Sequence, residues 1–142
     1  MIILDTNVLS ALVRDEPDPV VVDWLDSQPA QSVWTTSITL LEARFGIALL
    51  PRGKRQRALE LSFDRLIRED LENRVLDFDR AAAVEASTVA AARQRAGRPV
   101  DLRDTQIAGI ALAHRASIAT RNVRHFRDLK VSVIDPWSPP RT

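Results

Sequence analysis

The chain has 142 residues, 45% of them apolar and 27% charged, a balance that suits one globular domain and excludes disorder. It has no cysteine, which excludes disulfides, thiolate zinc sites and cysteine nucleophiles, and its two histidines, His114 and His125, are too few for a histidine-rich metal site. The net charge of +1 conceals an asymmetry, with seven acids against two bases in residues 1–50 and nine bases against three acids in residues 93–130. Such a chain either folds an acidic and a basic part around a metal-bound polyanion or solvates its arginines on an ordinary surface.

Ile2-Ile3-Leu4 is a short β-branched run that ends on Asp5-Thr6-Asn7 and predicts a buried strand leading into a helix. Val8, Leu9, Leu12 and Val13 follow at helical spacing as far as Asp15-Glu16-Pro17. A second short helix is expected from Asp18 to Ser27, then a strand at Val33-Trp34-Thr35-Thr36. Thr39 and Glu42 fit a capping box at the start of the next helix, which runs to Pro51. A basic turn, residues 52–57, precedes a helix reaching Glu69 with Leu59, Phe63, Leu66 and Ile67 inward. Val75 to Phe78 reads as a third strand. Asp79 caps a long alanine-rich helix stopped by Gly97, and Asp101 caps the next, whose inward face is Ile107, Ile110, Ala111 and His114. Ser117 to Thr120 and Val131 to Ile134 read as the fourth and fifth strands, and the tail Pro136 to Pro140 as irregular. Strands alternating with helices predict an α/β fold with a parallel sheet and helices on both faces. Residues 1–142 show no repeat or linker and read as a single domain. Met1 to Asp5 has no signal-peptide pattern and no run of eighteen apolar residues occurs, so the expectation is a cytoplasmic protein without membrane contact.

Ligands of open α/β sheets bind at the carboxyl ends of the strands. Asp5 closes the first strand, Glu42 lies at the start of the helix after the second, and Asn122 follows the fourth. Asp104 sits in the first turn of the helix leading to that strand. Each has a bland reading: Asp5 as a helix cap, Glu42 as half of the capping box, Asp104 as a group favoured by the helix dipole, Asn122 as a cap for residues 123–129. Together they point to chemistry. Three carboxylates at one sheet edge repel one another, and a divalent cation relieves that repulsion. Magnesium prefers oxygen ligands and polarises phosphate oxygens, which makes a hydrolytic site for phosphodiesters. Neither a phosphate-binding loop of the G-x-x-x-x-G-K type nor G-x-G-x-x-G is present, and Ser10, Ser37 and Ser62 lie in no nucleophile-elbow context. His114 reads as a packed or boundary residue, His125 as a residue near RNA, and Trp24 and Trp34 as core.

Ile3-Leu4-Asp5-Thr6-Asn7-Val8-Leu9, Thr39-Leu40-Leu41-Glu42, Asp104-Thr105-Gln106-Ile107-Ala108, Ala119-Thr120-Arg121-Asn122 and Asp135-Pro136-Trp137 occur in this order along nearly the whole chain. In these residues the sequence resembles the PIN-domain family, in particular the VapC-type ribonuclease toxins of bacterial toxin–antitoxin modules. The resemblance implies a three-layer α/β/α sandwich with a central parallel sheet of four to five strands. It further implies an endoribonuclease dependent on magnesium or manganese that cuts a tRNA or a ribosomal RNA loop. A cognate antitoxin would lay its C-terminal segment across the active site. The toxin would form a homodimer, and operator DNA would be reached only through the antitoxin. Asp5, Glu42 and Asp104 match the three core acidic positions, whereas Asn122 and His125 stand where acids are frequent. In this reading Asp5 and Asp104 ligate the metal, and Glu42 ligates through water or orients the attacking hydroxide. Asn122 and the Thr6 hydroxyl position water or a phosphate oxygen, while Arg121, Arg124 and Arg98 or Arg103 hold the RNA backbone. Two other readings remain: a catalytically weak PIN-like module acting in a DNA-bound regulatory complex, which Asn122 favours, and a phosphotransfer receiver domain, which lacks the adjacent acidic pair.

Overall fold

The computed structural model describes residues 1–138. Its elements alternate as expected: β1 (Ile2–Leu4), α1 (Thr6–Val13), α2 (Pro19–Asp26), β2 (Val33–Thr36), α3 (Ser37–Ala48), α4 (Lys54–Arg65), β3 (Val75–Leu76), α5 (Arg80–Arg95), α6 (Leu102–His114), β4 (Ser117–Ala119) and β5 (Val133–Ile134). All strand pairings are parallel and the order is β3-β2-β1-β4-β5. Two-residue periodicity turns Leu4 to one face of the sheet and Ile3 to the other. Leu4 packs with Val8, Leu9, Val21, Trp24 and Phe63 from α1, α2 and α4. Ile3 packs with Ala82, Val89, Ile107, Ile110 and Phe126 from the side of α5 and α6. The result is the expected α/β/α sandwich.

Several boundaries differ from the sequence reading. α3 begins three residues early because Thr36, not Thr39, is its N-cap: the Thr39 N–H donates to Thr36 Oγ1 at 3.0 Å, and the two hydroxyls lie 2.8 Å apart. Glu42 therefore stands in the second turn and has no part in a capping box. The basic stretch after Arg52-Gly53 is already the first turn of α4, since lysine and arginine are good helix formers. At its far end α4 widens into a π turn over Leu66–Asp70. The third and fifth strands shrink to two residues each. His114 is exposed in the last turn of α6 and not part of its inward face. Asp79 and Asp101 cap α5 and α6 as expected, Asp18 proves to be the N-cap of α2, and Gly97 takes the left-handed φ of +70° that ends α5. Trp24 is core on the Leu4 face of the sheet, and Trp34 is partly buried against the core on the Ile3 face. Within the tail, Pro139 and Pro140 lie outside the described residues. Among the described residues, no helix is long and apolar enough to cross a membrane.

The sheet order carries the functional consequence. After β1 the chain steps one way to β2 and β3, then returns to the other side of β1 for β4 and β5. The connections leaving the carboxyl ends of β1 and β4, helix α1 and the loop of residues 120–132, diverge there and open a crevice, as at the switch point of any doubly wound sheet.

Candidate active site

Asp5 sits at that crevice. Its backbone N–H donates to Ala119 O at 3.0 Å, so the residue belongs to the end of the sheet before it belongs to α1. The carboxylate is 5% exposed. Oδ1 accepts from the Thr6 N–H at 2.8 Å, and Oδ2 accepts from the Thr120 hydroxyl at 2.8 Å. Burial nevertheless pushes its proton affinity up; the Thr120 and Thr6 hydrogen bonds oppose the shift without cancelling it.

Glu42 reaches the same crevice from α3, which the Thr36 cap starts directly off β2. Burial and then the charge of Asp5 raise its pKa, and Arg103 lies 3.7 Å away as a partial counter-charge. Asp104 comes from the first turn of α6, its N–H tied to Asp101 Oδ1 at 3.0 Å. Burial and then the neighbouring Asp101 raise it; Asp5 adds to the repulsion, and His125 opposes it by placing Nδ1 2.6 Å from Asp104 Oδ2. Asp5, Glu42 and Asp104 are thus brought within electrostatic reach of one another.

Thr6 completes the crevice. Among the described residues its Oγ1 is the one buried side-chain polar atom left without a hydrogen-bond partner; it lies near Glu42 but misses hydrogen-bond geometry. A buried hydroxyl left open is costly and calls for a ligand or water. The donor set, carboxylates and a hydroxyl with no thiol or imidazole array, suits a hard divalent cation. Among the described residues, however, no three His, Asp or Glu side chains close tightly enough around one point to hold an ion in this conformation. Asp104 is turned onto His125 and Glu42 lies beside Arg103.

The remaining sequence candidates divide. Asn122 is exposed at the head of a short 3₁₀ turn (Val123–His125), and its side chain caps nothing; its backbone N–H donates to Thr120 Oγ1 at 3.0 Å and its carbonyl accepts from the His125 N–H at 3.0 Å. Arg121 and Arg124 are exposed on the same loop and line a cavity of about 320 Å³ with Asn122 and His125. Arg98 is drawn to Asp128 at 3.1 Å and Arg103 to Glu42, so neither is free as a phosphate grip. His125 meets Asp104 and is better described as that acid's partner than as an RNA contact.

Three residues that sequence reasoning passed over organise the site. Thr120 is its hub: it donates to Asp5 and accepts from Asn122 N and, at 3.4 Å, from Asn7 Nδ2. Asn7 also receives the Arg121 N–H on Oδ1 at 3.1 Å, lacing the β1 and β4 ends together. Trp137 donates its indole N–H to Asp18 at 2.9 Å and lies under the Arg121 guanidinium. All three stand inside motifs that carried the family resemblance, Asp5-Thr6-Asn7, Thr120-Arg121-Asn122 and Asp135-Pro136-Trp137, and membership of those motifs was the available signal. From Thr6 and Glu42 a groove of about 620 Å³ runs away between α1, α3 and α4 over Leu9, Ile47, Leu50 and Phe63.

Comparison with known proteins identifies the family and the fold. The PIN domain model matches residues 2–131. The chain is 40% identical to the plasmid stability protein StbB of Pseudomonas syringae pv. tomato, covering 96% of this chain and 99% of that one. It is 36% identical to the VapC ribonuclease Y4jK of Sinorhizobium fredii, covering 98% and 99%. Among solved structures, FitAB bound to an IR36 DNA fragment includes a chain that superposes with a TM-score of 0.89 at 34% identity, covering 99% of both chains.

Proposed function

The chain belongs to the PIN-domain family, in its VapC-type branch, and from that premise we propose that it is the toxin of a toxin–antitoxin pair. Its activity is magnesium-dependent endonucleolytic hydrolysis of phosphodiester bonds in looped RNA of the tRNA or ribosomal kind. The observation that carries this reading is the meeting of Asp5, Glu42 and Asp104 at the switch-point crevice. All three hold protons more tightly than free carboxylates do, and an unsatisfied Thr6 hydroxyl lies beside them. This is a site whose charge calls for a cation.

Asp5 and Asp104 supply the oxygen ligands, and the Thr120 and Thr6 hydrogen bonds fix how Asp5 is aimed. Magnesium, or manganese in its place, supplies Lewis-acid activation of water and neutralises charge gathering on the phosphate. Glu42 orients the attacking water and takes its proton, a task suited to a carboxylate whose proton affinity is raised. Thr6 Oγ1 and the Asn122 amide position water or a phosphate oxygen, and Arg121 and Arg124 hold the backbone of the RNA. For that arrangement Asp104 leaves His125 and Glu42 leaves Arg103. Asn122, an amide, brings no charge, which favours one ion over two.

The partner is a cognate antitoxin, supported by the likeness to FitAB, and operator DNA is engaged through it. Its inhibitory segment lies along the apolar groove that begins at Glu42. Leu41 and Phe45 on α3 and Leu49 at its C-cap, four residues apart and each more than half exposed, form the face by which two copies pair. The site of action is the cytoplasm. The deciding experiment incubates the antitoxin-free protein with total RNA in magnesium and in EDTA, beside Asp5→Ala. Discrete fragments that require both magnesium and Asp5 are expected. A folded, metal-loaded protein that leaves RNA intact would instead be the regulatory module, a reading favoured by the acids already tied to His125 and Arg103.

A further inference from the structure

Three arginines lie over aromatic rings among the described residues, and two of them are spoken for. Arg44 sits 5.4 Å from the Phe63 centroid but is bound to Asp64, and Arg103 sits 6.0 Å from Phe45 beside Glu42. Arg121 is different. Its Cζ lies 4.7 Å from the Trp137 ring centroid, the shortest of the three, and among the described residues no carboxylate pairs with it.

Both halves of this stack are anchored. The Arg121 backbone N–H is held by Asn7 Oδ1 at 3.1 Å, inside the lacing around Asp5. Trp137 is partly buried against the core; its backbone N–H donates to Asp135 Oδ1 at 2.9 Å, and its indole N–H donates to Asp18 Oδ2 at 2.9 Å, the residue that caps α2. Arg121 is exposed, and it lines both the groove that holds Thr6 and Glu42 and the cavity that holds Asn122 and Arg124. It is the residue common to both, at the boundary between the acidic crevice and the basic loop.

A guanidinium laid on an indole keeps a planar, weakly hydrated cationic face outward. A phosphate needs charge and donors, which any mobile arginine supplies; a fixed plane suits a flat π partner. RNA loops offer such partners as unstacked bases, which proteins read by stacking on aromatic rings and guanidinium planes. We propose that Arg121, braced by Trp137, is a stacking platform for one unpaired nucleobase beside the scissile phosphate, so that the enzyme selects looped over paired RNA. This rests on the ribonuclease reading above and gives Arg121 a second task besides holding the backbone.

The test uses the full chain in EDTA, so that RNA binds without being cut. Binding of a fluorescein-labelled single-stranded RNA octamer is followed by anisotropy, beside octamers carrying one abasic nucleotide scanned along the strand and beside the duplex. Circular dichroism checks that every variant is folded. The wild type should lose affinity by about fivefold or more at one abasic position, the range for a stacked base. Arg121→Lys, which keeps the charge but not the plane, and Trp137→Leu should bind the intact octamer as weakly as the wild type binds that abasic strand, with no further abasic penalty. Trp137→Phe should restore the penalty. Octamer binding by the wild type with no abasic penalty, or by Arg121→Lys at wild-type strength, overturns the platform and leaves the ribonuclease reading standing. A folded wild type that binds none of the RNAs likewise overturns the platform, and the ribonuclease reading then stands or falls with the magnesium-dependent cleavage of total RNA described above.

Discussion

Asp5 accepts two hydrogen bonds and still takes up a proton more readily than a free aspartate, because losing water costs its charge more than two donors return. Glu42 and Asp104 are shifted the same way, so at neutral pH the metal-free crevice holds three carboxylates that would each be easier to keep charged in the unfolded chain. Their folded pKa values lie above the unfolded ones. Their contribution to stability is therefore complete below the unfolded range, near about pH 4, and is lost as pH rises through the folded values. Asp18 and Asp128 are shifted down and titrate below that window, so they do not mask it. In EDTA, the melting temperature should accordingly rise as pH falls from 7 toward about 4.5, and magnesium should restore the loss at pH 7. Asp5→Asn should flatten that slope and raise the metal-free melting temperature at pH 7 by about 3 °C, the size of a change of about 1 kcal/mol in a chain this long. Asp104→Asn should abolish cleavage at unchanged fold; normal magnesium-dependent turnover in that variant would remove Asp104 from the site. Melting in EDTA and in magnesium, across pH, reads the first two effects, and single-turnover RNA cleavage reads the third.

Two contacts between elements decide where these residues stand. Gly109 brings α6 against α5 so closely that an added Cβ would meet Ala82 O at 2.4 Å and Ala86 Cβ at 2.7 Å. Gly109→Ala gains about 1 kcal/mol of helix propensity but drives the helices apart, and overpacking of this kind costs about 1–3 kcal/mol or more. Net destabilisation in urea is expected, together with reduced cleavage, because α6 carries Asp104. The second contact is Arg93. At 5% exposed in the last turn of α5, it grips Asp128 through Nε at 2.9 Å and a terminal nitrogen at 3.0 Å, and it donates to the carbonyl of His125. Together with the buried Phe126, it pins a loop that has little regular structure of its own. Arg93→Met should cost about 2 kcal/mol, less than a fully buried pair because Asp128 is a quarter exposed and keeps Arg98. Amide exchange in residues 121–130 should speed up while the sheet stays protected. The loop's sequence gave no sign of this brace, since Arg93 reads as one more polar residue on an alanine-rich helix. What the sequence did disclose follows a physical division. The short apolar, β-branched run Ile2 to Leu4 and the aspartates before α2, α5 and α6 act locally, and they placed the first strand and the helix starts. The same logic misled at Thr39, where a second threonine three residues upstream was the better cap. Asp5, Glu42 and Asp104 were legible because strand ends and helix starts fix where their side chains emerge. Thr120, Asn7 and Trp137 were not, because their partners lie more than a hundred residues away in the chain.

At the scale of the whole molecule, folding brings the acidic first third and the basic last third of the chain to one edge of the sheet. Asp5 and Glu42 come from the first, Arg121, Arg124 and Arg127 from the second, and Asp104 stands at the boundary where His125 meets it. The two signs do different work on RNA. Acids at the crevice repel phosphate until a cation intervenes, whereas the arginines attract it at any metal concentration, so binding and cleavage should respond to salt separately. Each phosphate neutralised on a single strand releases counterions and adds about −0.7 to the slope of log affinity against log salt. With Arg121 and Arg124 each on one phosphate, and Arg127 beside them, the slope in EDTA should lie between about −1.5 and −2. Arg124→Ala should make it shallower by about 0.7 and weaken every RNA alike, since a phosphate contact carries no sequence information. Arg121→Lys should leave the slope nearly unchanged while lowering affinity, because the charge remains and only the plane is lost. Titrations from 50 to 300 mM potassium chloride separate these outcomes. A slope near zero would mean that the basic loop faces a protein partner and not RNA; equal flattening by Arg121→Lys and Arg124→Ala would mean that Arg121 holds RNA by geometry that lysine cannot reproduce at the phosphate itself.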